Sequence, residues 1–384
     1  MKKRVLFHVQ HLLGVGHLKR AATLARRMAK AGLDVTVAYG GRVVPEVKFK
    51  GATIASLPPA AISGENFSAL VDAKGKPIDD AWKAARRDAL LELWRKTDPD
   101  VVLIELFPFG RRQFRFELLP LLEAIHAEKH RARIACSVRD ILVAPKNPGR
   151  STEAVNTLRK FFDAVLVHGD PKLIRFDATF PEANRIADLI RYTGYVASSV
   201  DDPASAKGAG EVVVSAGGGA VGAPLLNAAM SARPLTSLAG HVWRFLTGPN
   251  IGAEDFKTLA AHASERTIVE RFCDDFPTRL SVSALSISQA GYNTTMDILA
   301  AGARAIVVPY EAKGETEQRL RAEILARKGL ITMIPAAELS PQRVVQAVRS
   351  AIGKPASFEG IEVAGAAATA RIVGELAGHR KAAA

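Results

Sequence analysis

The chain has 384 residues, of which 48% are hydrophobic and 24% are charged. This length predicts two domains with separate cores, and the composition excludes a disordered chain or a fibrous protein. The two cysteines, Cys136 and Cys273, lie far apart in the sequence, so we expect a reduced, cytoplasmic protein without a disulfide framework. The longest uncharged stretch, 212–232, contains glycines and a proline, which favours a strand, loop and helix over a membrane span.

The net charge of +13 is unevenly distributed along the chain. Residues 1–200 hold 33 Lys and Arg against 21 Asp and Glu, whereas residues 201–384 hold 19 against 18. The excess of +12 in the first half favours an acidic partner for that half: a membrane surface, an anionic substrate or a nucleic acid. A solvated basic surface is the alternative.

In the first half, short β-rich runs alternate with amphipathic stretches. A strand at 4–9 is followed by apolar residues on one helical face from Leu18 onwards, and Gly32 ends that helix. Strands that alternate with helices predict parallel β-α-β units in a doubly wound sheet. The further predicted elements are strands at 34–39, 101–106, 133–138 and 164–168, and helices at 81–97 and 114–128.

A stretch of small and polar residues, 197–210, separates this half from a second α/β series. We therefore predict an N-terminal domain over 1–196 and a C-terminal domain over 197–364, with a helix at about 365–384 packed back onto the first domain. In the second series we predict strands at 211–215, 285–288 and 305–309, and helices from 224, at 294–301, at 316–328 and from Ser340-Pro341.

Three junctions between a predicted strand and a helix contain glycine: Gly14-Val-Gly16-His17, 216–222 and 288–297. Glycine lets the backbone approach a ligand, and the free N–H groups of a helix N-terminus favour anions. The first junction lacks the third glycine of an NAD fingerprint, and the second lacks the Gly-Lys-Ser/Thr of an ATP-binding P-loop. We expect phosphate or nucleotide binding of another kind.

Other polar residues lie at the carboxyl ends of predicted strands, or just after them, at one edge of the first domain. They are Glu105, Arg139-Asp140 and His168-Gly-Asp170, and we expect them near a ligand because open parallel sheets bind ligands at this edge. Glu105 is a candidate for the acceptor site or for a second base. Asp98-Pro-Asp100 matches a metal-binding Asp-x-Asp motif only superficially, since it precedes a strand and predicts a turn at the opposite edge.

The run Ser288-Gln-Ala-Gly-Tyr-Asn-Thr-Thr-Met-Asp297, followed by Ile306-Val-Val-Pro-Tyr310 and Glu315-Thr-Glu-Gln318, resembles the donor-binding half of GT-B glycosyltransferases. Within that fold it is most similar to the MurG family of peptidoglycan N-acetylglucosaminyltransferases. The opening Gly-x-Gly-His is similar to the acceptor loop of that family. The resemblance implies an α/β protein of GT-B architecture, in which two Rossmann-like doubly wound domains face each other across a cleft.

The resemblance also implies roles for individual residues. Asp297 would bind the ribose hydroxyls, Glu317 and Gln318 would face hydroxyls of the donor sugar, and Phe272 and Cys273 would lie against the uracil. The other residues expected in the donor site are Gly217, Gly218, Gly219, Gly291, Asn293 and Thr294, and those expected in the acceptor site are Gly14, Gly16 and Asp140. After Thr193-Gly194 the chain lacks the arginine that this family places near the interdomain hinge, so the resemblance does not identify the substrate.

The resemblance implies an inverting glycosyltransferase that moves a sugar from a UDP-sugar to an acceptor hydroxyl. His17 suits the catalytic base near neutral pH, and helix N-termini with glycine-loop N–H groups can neutralise the leaving diphosphate, so no metal or other cofactor is expected. The basic face of the first helix, with Lys19, Arg26, Arg27 and Lys30, favours a lipid-linked or otherwise anionic acceptor and peripheral attachment to the inner face of a membrane.

Three alternatives stay open. A nucleotide-sugar hydrolase on the same fold would use His17 to activate water, and some such enzymes also have an arginine soon after Gly-x-Gly-His, as Lys19-Arg20 provides here. A nucleotide-sugar 2-epimerase is a further possibility. A nucleic-acid-binding protein belongs to a different class; we do not expect nucleic acid as a partner, because the sequence lacks an aromatic-rich basic patch for base stacking.

Overall fold

The computed structural model describes residues 2–12, 16–45, 47–63, 69–143, 149–198, 200, 207–218, 221–311, 316–353, 358, 360–378 and 381–382. The chain divides into two compact units. The first consists of Met1–Val196 and Ala364–Ala384, and the second consists of Ala197–Val363.

The first unit alternates strands and helices along most of its length. Its elements are β1 (Arg4–Val9), α1 (Gly16–Lys30), β2 (Asp34–Tyr39), β3 (Thr53–Ser56), β4 (Ala61–Ser63), β5 (Ala69–Val71), α2 (Asp80–Thr97), β6 (Val101–Glu105), α3 (Arg115–His126), β7 (His130–Arg131), β8 (Arg133–Arg139), α4 (Gly149–Phe161), β9 (Ala164–His168) and β10 (Ile190–Tyr192).

Within the described residues, the main sheet of this unit is parallel, in the order β10-β9-β8-β6-β1-β2-β3. The strand order reverses between β1 and β6, which are neighbours in the sheet but distant in sequence. In a doubly wound sheet, such a switch point leaves a crevice at the carboxyl ends of the two strands. Polar side chains that follow β1 and β6 are therefore the first candidates for a site.

Apolar cores cover both faces of this sheet. On one face, Leu18 and Leu24 of α1 pack with Val101 and Leu103 of β6 and with Val373 from the end of the chain. On the other face, side chains of α2, α3 and α4 form a second buried cluster with β6, β8 and β9. Both faces are buried because parallel β-α-β crossovers place helices on each side of the sheet.

The second unit has the same kind of architecture. Within the described residues, its sheet is parallel in the order β13-β12-β11-β14-β15-β16, and the strand order reverses between β11 and β14. Its elements are β11 (Val212–Ser215), α5 (Ala223–Ala232), β12 (Trp243–Leu246), α6 (Ala253–Ala260), β13 (Thr267–Glu270), α7 (Phe276–Val282), β14 (Leu285–Gln289), α8 (Tyr292–Ala301), β15 (Ala305–Val308), α9 (Glu317–Arg327), β16 (Thr332–Met333) and α10 (Pro341–Ile352).

The end of the chain returns to the first unit. Helix α11 (Gly365–Ala377) packs against α1. Its first residue must be glycine, because a Cβ atom on Gly365 would lie only 2.3 Å from the carbonyl oxygen of Gly194. The helix ends at Ala377 rather than extending to 384, and β17 (Lys381–Ala382) then pairs antiparallel with β7. No helix of the described residues is both long and apolar enough to cross a bilayer.

One boundary changes the interpretation of a predicted site residue. Helix α8 begins at Tyr292, after Gly291 as its N-cap, and not at Thr294. A helix from 294, as predicted, would place Asp297 in its first turn, but the observed start makes Asp297 the sixth residue of the helix, so that placement is wrong. Its carboxylate is too far along the helix to complement the free N–H groups of the N-terminus.

Candidate functional sites in the two units

A histidine and a glutamate meet at the switch point of the first unit. Glu105 is the last residue of β6 and follows Val101 and Leu103 on the face covered by α1, because side chains along a strand alternate between faces. His17 is the second residue of α1. Its Nδ1 lies 2.6 Å from Oε1 of Glu105. The sequence placed both residues at one edge of the sheet, and the structure brings them into direct contact.

Arg20 completes this contact from the same helix. It lies one turn after His17, it is buried, and its Nη2 donates to Oε1 of Glu105 at 2.8 Å. The carboxylate is only 1% exposed, so its negative charge needs this partner. With the glutamate charged, the proton of a neutral His17 belongs on Nδ1, where it is donated to Glu105. The lone pair of His17 is then on Nε2.

The pKa values of the two groups support this assignment. Burial lowers the pKa of His17 to about 4, although the charge of Glu105 acts in the opposite direction. Burial of Glu105 favours its neutral form, but the hydrogen bond from His17 and the charges of Arg111 and Arg20 outweigh burial and hold the pKa of Glu105 well below its usual range. Near neutral pH the pair is a neutral imidazole beside a carboxylate, which is the arrangement of an oriented general base.

Two further arginines approach this pair. Nη2 of Arg139 lies 3.4 Å from Nε2 of His17, and Nη2 of Arg111 lies 3.4 Å from Oε2 of Glu105. Sequence reasoning named Arg139 only as the neighbour of Asp140 and did not name Arg111. A signal for Arg139 was available, because Ser137 pairs with Glu105 and a residue two positions further along β8 lies on the same face of the sheet.

The other residues expected in the acceptor site are placed as follows. Asp140 is fully buried, and its carboxylate accepts from the backbone N–H of Ile141 at 2.9 Å and from the hydroxyl of Tyr195 at 3.1 Å. These contacts favour a structural role for Asp140. Gly16 is exposed at the start of α1, and Gly14 lies outside the described residues.

In the second unit, the glycine loop lies at the corresponding switch point, after β11. Gly217 has a φ of +65°, which favours glycine, and the carbonyl of Gly218 accepts from the side-chain amide of Asn250 at 2.6 Å. Gly248 packs so closely that a Cβ atom there would lie 2.2 Å from the carbonyl oxygen of Gly217. The backbone of Gly217 and Gly218 is thus held against the residues that follow β12. Gly219 lies outside the described residues.

The adjacent junction after β14 carries the residues assigned to the ribose. Gly291 precedes α8, and Asn293 and Thr294 lie partly exposed in its first turn. Asp297 is only 7% exposed, and its Oδ1 accepts from the backbone N–H of Ser198 at 2.9 Å. The structure therefore brings the backbone of Ser198 against this carboxylate, a contact that the sequence did not indicate.

The remaining donor-site candidates follow β13 and β15. Phe272 is 58% exposed, as a platform for a planar ring would be, whereas Cys273 is half-buried and burial raises its pKa to about 11. Glu317 is 5% exposed and accepts from Nη2 of Arg321 at 2.8 Å. The side-chain oxygen of Gln318 accepts from the backbone N–H of Tyr310 at 3.1 Å.

The described residues contain no group of three or more His, Cys, Asp or Glu side chains arranged to hold a metal ion. Asp98 and Asp100, the two carboxylates of the Asp-x-Asp motif, lie at the amino end of the sheet. Asp98 caps the end of α2, and Asp100 accepts from the backbone N–H of Arg4 at 2.8 Å. This confirms the predicted position of the motif at the edge of the sheet opposite the glycine junctions.

Solved structures of several glycosyltransferases share the fold of this chain. The calicheamicin glycosyltransferase CalG4 aligns with a TM-score of 0.64 at 16% identity over 98% of this chain and 97% of its own. MurG of Acinetobacter baumannii aligns with a TM-score of 0.60 at 14% identity over 99% of this chain and 100% of its own. These likenesses establish the GT-B fold and confirm the α/β class with two doubly wound domains.

The sequence comparison is narrower and concerns mainly the second unit. Residues 213–371 match the glycosyltransferase family 28 C-terminal domain, which confirms the MurG-like resemblance for that segment. A UDP-N-acetylglucosamine-N-acetylmuramyl-(pentapeptide) pyrophosphoryl-undecaprenol N-acetylglucosamine transferase of Vibrio cholerae is 29% identical over 45% of this chain and 49% of its own. The transferase of the same name from Corynebacterium efficiens is 34% identical over 28% of this chain and 29% of its own. The chain thus spans half or less of the length of these curated relatives.

Proposed function

We propose that this protein is an inverting glycosyltransferase that moves a sugar from a UDP-sugar to an acceptor hydroxyl. The observation that carries the proposal is the contact between His17 and Glu105 at the switch point of the first unit. The family 28 match of residues 213–371 supplies the donor class, since curated relatives of that segment are named for UDP-N-acetylglucosamine.

In this mechanism His17 is the catalytic base. Its Nε2 takes the proton of the acceptor hydroxyl as the oxygen attacks the anomeric carbon, and the bond from that carbon to the diphosphate oxygen breaks. Glu105 is a positioning residue, because its carboxylate fixes the tautomer of His17 and stabilises the imidazolium that forms.

Inversion follows from the same assignment. A retaining reaction through a covalent intermediate needs a free carboxylate as nucleophile. The carboxylate of Glu105 is buried and contacts His17, Arg20 and Arg111, so it is a poor nucleophile. A single displacement by the acceptor oxygen inverts the anomeric centre.

We place the donor in the second unit. There the glycine loop at Gly217 and Gly218 and the N-terminus of α8 offer backbone N–H groups to the diphosphate, which stabilises the charge of the leaving group without requiring a metal ion. Asp297 would accept from ribose hydroxyls, and the exposed ring of Phe272 would lie against the uracil. Gln318 would donate its amide N–H to a sugar hydroxyl, and the Glu317 carboxylate, held by Arg321, would accept from another.

We further propose a lipid-linked acceptor and attachment to an anionic membrane surface through the first unit. Lys19, Arg26, Arg27 and Lys30 are all exposed on α1, the helix that also contains His17. Each cation near an anionic surface contributes about 1 kcal/mol to binding. The relative from Vibrio cholerae is named for an undecaprenol-linked acceptor, which supports the same class of acceptor here.

The donor class is tested by thermal unfolding of the full chain with UDP, GDP, dTDP and their sugars. A ligand that binds only the folded protein raises its Tm by mass action. We expect UDP and one or more UDP-sugars to raise the Tm more than the other nucleotides do. Stabilisation by GDP or dTDP alone would overturn the UDP assignment.

A further inference from the structure

We propose that Arg111 and Arg139 form an anion-binding site beside His17, so that the acceptor carries a carboxylate or phosphate group close to its reacting hydroxyl. This inference rests on the proposed function, because it names the chemical class of the substrate that His17 deprotonates. It goes further by assigning recognition of that substrate to two arginines that lie outside the glycine loops.

The side chain of Arg111 is largely buried, and its contact with Glu105 is long. Its side chain is 11% exposed, its Nη2 lies 3.4 Å from Oε2 of Glu105, and in the part of the chain that the structure describes its buried Nε has no hydrogen-bond partner. The other oxygen of Glu105 receives the shorter bonds, from His17 and Arg20. A buried N–H group that has no hydrogen-bond partner costs free energy, which an anionic ligand at the Nε of Arg111 would recover.

The turn that positions Arg111 contains two residues in an unfavourable backbone conformation. Leu106 and Arg111, at the two ends of the turn after β6, have φ values of +67° and +58°, in the left-handed region that costs energy for residues with a side chain. Gly110 closes the turn, since a Cβ atom there would lie 2.8 Å from the Leu106 side chain. The turn directs the guanidinium back to Glu105.

Arg139 approaches the pair from the neighbouring strand. Its Nη2 is 3.4 Å from Nε2 of His17, the nitrogen that takes the proton in the proposed mechanism. The charge of Arg139 contributes to the low pKa of His17. An anion bound to this guanidinium would offset that charge and make the imidazole a stronger base, so that binding of the acceptor would itself activate the base.

A carboxylate or a phosphate fits such a site better than a neutral group does. Guanidinium presents parallel N–H donors that match two oxygens of either anion. Nη2 of Arg111 and Nη2 of Arg139 each lie 3.4 Å from one member of the His17–Glu105 pair, which places two guanidinium groups beside the base.

The test uses nuclear magnetic resonance of the full chain with 15N-labelled histidine, at pH 5 and constant ionic strength. The His17 signal is assigned by its loss in His17→Gln. Inorganic phosphate and acetate are titrated separately. We expect one or both to shift the His17 signal saturably toward the protonated form, with phosphate alone indicating a phosphoryl acceptor and acetate alone a carboxylate acceptor.

The variants Arg111→Gln and Arg139→Gln should lose this response, whereas Arg95→Gln, which removes an exposed arginine of α2 in the same unit, should retain it. Arg139→Lys keeps the charge and should retain part of the response, which separates anion binding from misfolding. A His17 signal unaffected by 100 mM of either anion, or an equal response in Arg139→Gln, would overturn the proposal.

A final titration with saturating UDP separates the acceptor from the donor. If phosphate still shifts the His17 signal in the presence of UDP, Arg111 and Arg139 belong to the acceptor site. If UDP abolishes that shift, the two arginines bind the leaving diphosphate and the inference is overturned. Because this readout requires no turnover, it can fail while the glycosyltransferase proposal stands. Absence of UDP binding in the unfolding screen would instead count against the proposed function.

Discussion

Oε1 of Glu105 accepts from both Nδ1 of His17, at 2.6 Å, and Nη2 of Arg20, at 2.8 Å. His17 and Arg20 are one turn apart on α1, so one buried carboxylate orients the imidazole while an arginine from the same helix balances its charge. This relationship favours His17 over Glu105 as the proposed base. Nε2 of His17 is approached by Arg139 at 3.4 Å, a longer contact than the 2.6 Å and 2.8 Å that join Glu105 to His17 and Arg20, so an acceptor hydroxyl can replace it more easily.

Replacing His17 by alanine should therefore impair the chemical step more than donor binding. We expect kcat to fall by about 100-fold or more, because general base catalysis contributes that much, while UDP affinity changes little. Steady-state kinetics and calorimetric titration with UDP measure the two effects. If Glu105→Ala lowers kcat more than His17→Ala does, the base assignment would move to Glu105.

The pH dependence of kcat/KM reports the protonation of His17. Because its pKa is lowered to about 4, the base is unprotonated above that value, and kcat/KM should rise through pH 4 and stay level from about pH 5 to neutrality. In Glu105→Gln the negative charge that raises the pKa of His17 is gone, so the acidic limb of the profile should move to lower pH. Glu105→Asp keeps a negative charge and should move the limb part of the way back. A limb near pH 6.5 in the native protein would contradict the burial of the imidazole.

Asp297 is assigned to the ribose by resemblance, and the structure adds its contact with Ser198. Asp297→Ala should weaken UDP binding by at least about tenfold, or roughly 1.4 kcal/mol, in calorimetric titrations of the full chain. Asp255→Ala, which removes an exposed carboxylate from the same unit, is the control and should bind as the native protein does. Equal affinity of the Asp297 variant and the native protein would remove Asp297 from the ribose site.

The basic face of α1 predicts salt-dependent attachment to anionic membranes. The native protein should sediment with phosphatidylglycerol vesicles at low salt and dissociate as salt rises, because screening weakens attraction between exposed charges. Arg26→Glu with Arg27→Glu should weaken sedimentation much more than Lys257→Glu with Arg266→Glu, which reverses two exposed cations of the second unit. Absence of sedimentation at low salt would rule out electrostatic attachment and favour a soluble acceptor.

Much of the architecture was predictable because buried parallel strands are short apolar runs. The predicted strands at 4–9, 34–39 and 164–168 agree with β1, β2 and β9 to the residue. The short strands β3 and β10 were missed, because each lies at an edge of the sheet and has few buried side chains to mark it.

The candidate site was predictable only in part. The glycine junction and the end of β6 identified His17 and Glu105, because both follow strands at one edge of a parallel sheet. Arg111 was not predictable, since its position depends on a turn with two left-handed residues that no local pattern specifies. From the sequence we expected Asp140, and not Arg139, in the acceptor site. Strand alternation nevertheless places Arg139 on the same face of the sheet as Glu105.

The central claim is tested most directly by following the labelled sugar of the UDP-sugar that stabilises the full chain best. The labelled donor is incubated with native protein or His17→Ala, with and without a polyprenyl-phosphate-containing lipid extract of bacterial membranes. We predict that native protein transfers label to the lipid fraction and releases UDP only when lipid is present, and that His17→Ala does so at least about 100-fold more slowly. Release of free labelled sugar at the same rate without lipid would contradict a glycosyltransferase and identify a nucleotide-sugar hydrolase.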